Sequence, residues 1–190
     1  MKKNIFLLSL ILLSFTTFSQ VSSEELGKDK YFAEYVTTMD QMAQSLITKF
    51  TREEIKALGN LIETKKKENL SVEEQNQFVS KIFRLKDPVE FSTFQEVISK
   101  DRKYLKDKYG VIDKDVFENA GAAVLQSVSG RAASCGWRYG ICAASVGFQG
   151  ALMLSGCEAG TLGIGTPLCV AGVSIWTANA LGECYDDYCK

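Results

Sequence analysis

The sequence predicts an all-α protein: a charged N-terminal region of four to five amphipathic helices, then a disulfide-stapled helical hairpin. Three observations carry this expectation. Apolar residues in the first two thirds recur at helical spacing behind recognisable helix starts. All 6 cysteines lie at or beyond Cys135, as do ten of the 15 glycines. Charge behaves the opposite way, with 2 positive and 4 negative residues in the 59 from Ala132 to Lys190, against 18 and 19 in the 112 from Gln20 to Arg131. A shift this sharp marks a domain or processing boundary. The expected division is residues 1–19, 20–131 and 132–190.

The chain opens MKKNIFLLSLILLSFTTFSQ. Lys2 and Lys3 form a basic start, Ile5 to Phe15 an apolar core, and Thr17 and Ser19 supply small residues at −3 and −1 of a cut before Gln20. This is the layout of a cleavable secretory signal. The apolar run is short of the ~20 residues a spanning helix needs. No cysteine follows it for lipid attachment. The expected address is secreted, with a periplasmic or cell-surface location as the alternative.

The first helices follow in order. Between Ser23 and Phe50, the residues Phe32, Tyr35, Met39, Met42, Leu46 and Phe50 are spaced by three and four, an amphipathic stripe. Thr51 with Glu54 forms a capping box before IKALGNLIETKKK, and Ser71 with Glu74 another before QNQFVSKIFRLK. Asp87 and Pro88, with Glu90 behind them, mark a third start. Asp113 caps a last helix from about Lys114 to Ser127. The basic runs KKKEN and SKDRKYLKDKYG interleave opposite charges and read as solvated faces. Phe78, Ile82, Phe83 and Leu85 read as a core stripe.

The cysteine region is predicted as a hairpin. Six cysteines in an exported chain imply three disulfides, for which sequence alone allows 15 pairings. Spacing ranks them. Cys142 to Cys157 and Cys169 to Cys184 are both 15 residues apart, across apolar segments with almost no charge. As helices, 15 residues span roughly 22 Å with a net rotation of ~60°, so each pair stays near one face. Pro167 suits a helix first turn, where its missing amide costs nothing. Folding the helices antiparallel about residues 158–168 gives the nested set Cys135–Cys189, Cys142–Cys184 and Cys157–Cys169. Rows of small residues, Ala143, Gly147, Ala151 and Ser155 on one helix and Val170, Ser174 and Ala178 on the other, let the backbones approach.

Composition removes several chemistries. The chain has no histidine, the commonest general base and metal ligand. Net charge of −1 gives no electrostatic footprint for nucleic acid. Without histidine or a C-x-x-C pair, zinc and dithiol redox sites lack their ligands. The loop GCEAGTLGIGTPLCVAG fails as a phosphate cradle: Thr166 and Pro167 follow Gly165 where a P-loop needs lysine. Glu158 and Glu183 are lone carboxylates near helix ends. No cofactor, metal or nucleophile–base pair is expected, so no enzyme is. A membrane reading survives, because residues 159–182 carry no charge. Trp137, Tyr139, Tyr185 and Tyr188 gather at the open end, as aromatic residues do at bilayer interfaces or over a disulfide.

CGWRYGIC, GCEAGTLGIGTPLC and the terminal ECYDDYC, behind a longer charged region, resemble the halocin-like bacteriocin domain over about the last third of the chain. The resemblance implies a disulfide-stabilised antimicrobial peptide, and an N-terminal part from the same precursor that can confer immunity. It implies no catalytic residues. On this reading the protein is a secreted bacteriocin-like precursor, cut near Arg131 and Ala132, whose hairpin acts on a target-cell membrane or membrane receptor. The alternative is an exported, non-catalytic helical structural or interaction protein whose hairpin is never released. Extensive packing of the hairpin's small-residue face on the Phe78–Leu85 stripe favours the second, and a loosely tethered hairpin the first.

Overall fold

A computed structural model describes residues 21–128, 134–159 and 166–189. The described residues form helices and no strand. In chain order the helices are α1 (Ser23–Lys28), α2 (Lys30–Lys49), α3 (Arg52–Lys65), α4 (Val72–Ile82), α5 (Pro88–Tyr109), α6 (Lys114–Val128), α7 (Trp137–Ala159) and α8 (Pro167–Tyr188). The all-α class and the C-terminal hairpin are therefore as the sequence predicts.

The predicted starts are the observed ones. The Thr51 hydroxyl accepts from the Glu54 amide and the Glu54 carboxylate from the Thr51 amide, closing the box reciprocally; Ser71 and Glu74 repeat it. Asp87 accepts from the Val89 amide ahead of Pro88, and Asp113 from the amides of Asp115 and Val116. Each bond satisfies an amide that a helix start would otherwise leave unpaired.

Two features differ from the sequence reading. The stretch from Ser23 to Phe50 is two helices, not one. Asp29 separates them, with extended backbone and its carboxylate accepting from the amides of Tyr31 and Phe32. The fourth helix stops at Ile82, short of the predicted Lys86. Arg84 there has φ +51, and the Leu85 amide turns back to the Ser80 carbonyl, the six-to-one closure of a helix end. No glycine announces this stop. Contacts to α2 hold the arginine in place: its guanidinium stacks 4.4 Å from the Phe50 ring centre and donates to the Lys49 carbonyl.

Packing joins the charged and uncharged regions into one core. Phe32, Tyr35, Met39 and Leu46 of α2 are buried, as the stripe predicts, with Met42 half-buried. On α4, Val79 and the following Phe83 are fully buried, while Phe78, Ile82 and Leu85 are half-buried. The same continuous cluster contains Ile55 and Ile62 of α3, Val124 and Leu125 of α6, Leu154 of α7, and Leu168, Val173 and Leu181 of α8. The predicted boundary between Arg131 and Ala132 lies outside the described residues, but the helices on its two sides share an interior.

Candidate functional site

The hairpin is the feature from which any function must be argued. Its three disulfides are Cys135–Cys189, Cys142–Cys184 and Cys157–Cys169, with Cα separations of 4.9, 5.8 and 5.7 Å. This is the nested set the spacing predicts, and it leaves no free cysteine. Thr166 caps α8 by accepting from the Cys169 amide, and Pro167 takes the first turn. The Leu168 amide points to the Gln75 side-chain oxygen of α4 at 3.4 Å. A helix start from the uncharged region is thus satisfied by a polar side chain from the charged one.

The inner faces of the hairpin are covered. Eleven of the 22 residues of α8 are buried, Val170, Ser174 and Ala178 among them. The covering helices are α2, α3 and α4, with α3 taking the larger part. Helix α7 lies between α8 and α6. Its approach to α6 is set by small residues: a Cβ placed on Gly121 would meet the Ala144 Cβ at 3.0 Å. Its approach to α8 is set by Gly150, where a Cβ would meet the Thr177 Oγ1 at 3.2 Å and Met39 at 3.4 Å. The predicted row on α7 is only partly at an interface: Ala143 is buried, Ala151 half-buried and Ser155 exposed. A spacing of four drifts around a helix of 3.6 residues per turn, so a long row leaves the contact.

The outer face of α7 is open. Trp137, Leu152 and Met153 are 47%, 58% and 41% exposed. Trp137–Cys157 is long and apolar enough to cross a membrane by length and composition, although 39% of the critical window is buried in this fold. The open-end aromatics separate. Trp137, Tyr185 and Tyr188 are exposed, whereas Tyr139 is buried, with its hydroxyl accepting from the Gln44 amide nitrogen at 3.2 Å. Tyr139 is thus a core residue and not part of an interfacial belt. Glu183 is exposed and accepts from Asn179. The expected signal segment, the candidate cleavage pair Arg131 and Ala132, and the loop glycines Gly160, Gly163 and Gly165 lie outside the described residues.

One polar cluster was not foreseen. Asp29 is 8% exposed and accepts from Lys108 at 2.7 Å, from the Tyr109 hydroxyl at 2.8 Å and from the Tyr104 hydroxyl at 3.4 Å. Burial alone would raise its carboxyl, but Lys108, Tyr109 and the amides of Tyr31 and Phe32 together outweigh burial and hold it below the ordinary carboxylate value. Its hydrogen bond to Asp29 raises Lys108 in turn. The helix-start aspartate is legible in KDKYF; partners 75 to 80 positions away are not. Among the described residues no group of three or more histidine, cysteine, aspartate or glutamate side chains is arranged to hold a metal.

Three disulfides mark a non-cytoplasmic compartment, secreted or at a surface. No family model, curated protein or solved structure matches the chain.

Proposed function

We propose that this is an exported, non-catalytic helical protein in which the disulfide hairpin is a permanent internal scaffold, and that it acts by binding through the exposed apolar residues of α7. The supporting observation is the burial of α8 beneath α2, α3 and α4. Releasing the hairpin would expose Val170, Val173, Ile175, Ala178 and Leu181 together with the faces that cover them. Uncovering apolar surface costs roughly 25 cal/mol per Å². Trp137, Leu152 and Met153 remain exposed on α7, and tryptophan and methionine are among the residue types enriched in protein interfaces.

A second reading, the bacteriocin-like precursor, has its own support. All three disulfides fall within residues 135–189, so a fragment beginning near Ala132 keeps every staple. Its first helix is apolar enough to meet a membrane. On that reading α1–α6 mask the hairpin until cleavage. Mass spectrometry of the protein recovered from culture medium separates the two. The first reading expects one species extending from about Gln20 to Lys190. A 59-residue species from Ala132 to Lys190, inhibiting growth when oxidised and not when reduced, would overturn it in favour of the second.

A further inference from the structure

A group of titratable side chains lies where α2 packs on α5. Asp29, at the start of α2, is gripped there by Tyr104, Lys108 and Tyr109 of α5. Beside it, Asp101 of α5 is 0% exposed, and neither of its carboxylate oxygens has a hydrogen-bond partner. Lys100 lies at 3.7 Å and is itself shared with Glu34 of α2 at 3.9 Å. A wholly buried carboxylate whose ammonium neighbour stands off at 3.7 Å is an unfavourable arrangement; a neutral carboxylic acid is far less so.

We propose that Asp101 makes the α2–α5 contact a pH-sensitive latch: protonated and closed in mildly acidic surroundings, ionised and loosened near neutrality. This goes beyond the scaffold reading and does not depend on it. Burial comes first among the causes that push this carboxyl up to about 6, and the negative charge of Glu34 comes next. Lys100 opposes them, and the charge of Asp29 adds to them. From α2 and its cap, then, Glu34 and Asp29 face the group, and from α5 Lys100 does. At the same α2–α5 contact the Tyr31 and Tyr104 rings meet at a tilt, with centres 4.1 Å apart. Helices α4 and α8 also touch α5, and the groups that move this carboxyl most lie on α2, its cap and α5.

The chain has no histidine, the side chain that ordinarily titrates between pH 5 and 8. A raised carboxyl therefore occupies a window that the composition leaves empty. The folded-state value lies above the unfolded one, so the folded protein binds this proton more tightly. Its stabilising effect is full below about pH 4 and is lost as pH rises through about 6. Asp29 runs oppositely: its lowered value contributes stability that is lost only below the ordinary aspartate range.

The test compares the full oxidised chain with Asp101→Asn by urea unfolding from pH 5 to pH 7. The variant retains Asp29 and every other carboxylate, so the ratio of the two unfolding constants isolates Asp101. That ratio, wild type over variant, is expected to rise about tenfold across the interval. A ratio constant within twofold overturns the proposal. Carboxyl-carbon NMR of the wild-type chain gives a second readout that does not require the variant to fold. An Asp101 resonance titrating near 6, and falling in Glu34→Gln, supports the latch; an Asp101 resonance titrating near 4 overturns it.

Discussion

From Ser23 to Val128 the helices carry their own instructions. Capping side chains stand at Ser22, Asp29, Thr51, Ser71, Asp87 and Asp113, and acidic residues occupy the first turns of α1, α3, α4, α5 and α6. From Trp137 to Tyr188 the two helices have neither acidic first turns nor basic last turns. Glycines lie within both, each costing about 1 kcal/mol against alanine in water. What that region has instead is three disulfides and a buried inner face. The first region specifies helices locally and obtains its core from the second. The second specifies a topology covalently and obtains its cover from the first.

The strongest way to break this comparison is to remove the staples. Replacing Cys142 and Cys184 by serine opens a loop of 42 residues, and the chain-entropy relation gives a loss of about 4 kcal/mol, against about 3 for the 12-residue loop of Cys157 and Cys169. Urea titration of the two double variants should show that order. Losing all three exceeds much of the 5–15 kcal/mol by which domains are stable, so full reduction should abolish the fold, read as loss of the cooperative transition in circular dichroism.

A sharper cut tests the shared interior. Ile62 of α3 is fully buried, with its Cγ2 3.7 Å from the position a Cβ on Gly172 of α8 would take. Ile62→Ala should destabilise by about 2–5 kcal/mol, as cavity-forming changes in a core do. If α3 merely rested on an independent hairpin, the loss would be well under 1 kcal/mol. Gly121→Val, at the α6–α7 crossing, forces its side chain against Ala144 and should cost about 1–3 kcal/mol. The smallest effect is expected at the rim. Arg52 of α3 and Asp186 of α8 pair at 2.8 Å, with side chains 37% and 39% exposed. Arg52→Ala should cost less than about 1 kcal/mol, and less again at high salt.

What was legible in the sequence follows the range of the interaction. Capping boxes at Thr51 and Ser71 join residues three apart, so the pattern and the bond are the same thing. The disulfide nesting was legible because two equal intervals of 15 residues keep each cysteine pair on one helical face. The stop at Arg84 was not, because an arginine holds the left-handed position through Phe50 and Lys49, which belong to another helix. Nor were the Asp29 cluster and the burial of Asp101, since what buries a side chain is decided by helices far away in the chain. The row Ala143–Ser155 was legible as small but not as partnered, because a periodic pattern does not say which neighbour it meets.

The central claim is that the hairpin and the charged helices are one cooperative unit. Hydrogen exchange of the full oxidised chain under rising urea tests it directly, followed at amides of α3 and α8. The most protected amides of both helices should be lost together, with the same opening free energy and the same dependence on urea. Protection in α8 that persists after α3 has exchanged fully would contradict it, and would mean a hairpin that stands alone on its staples.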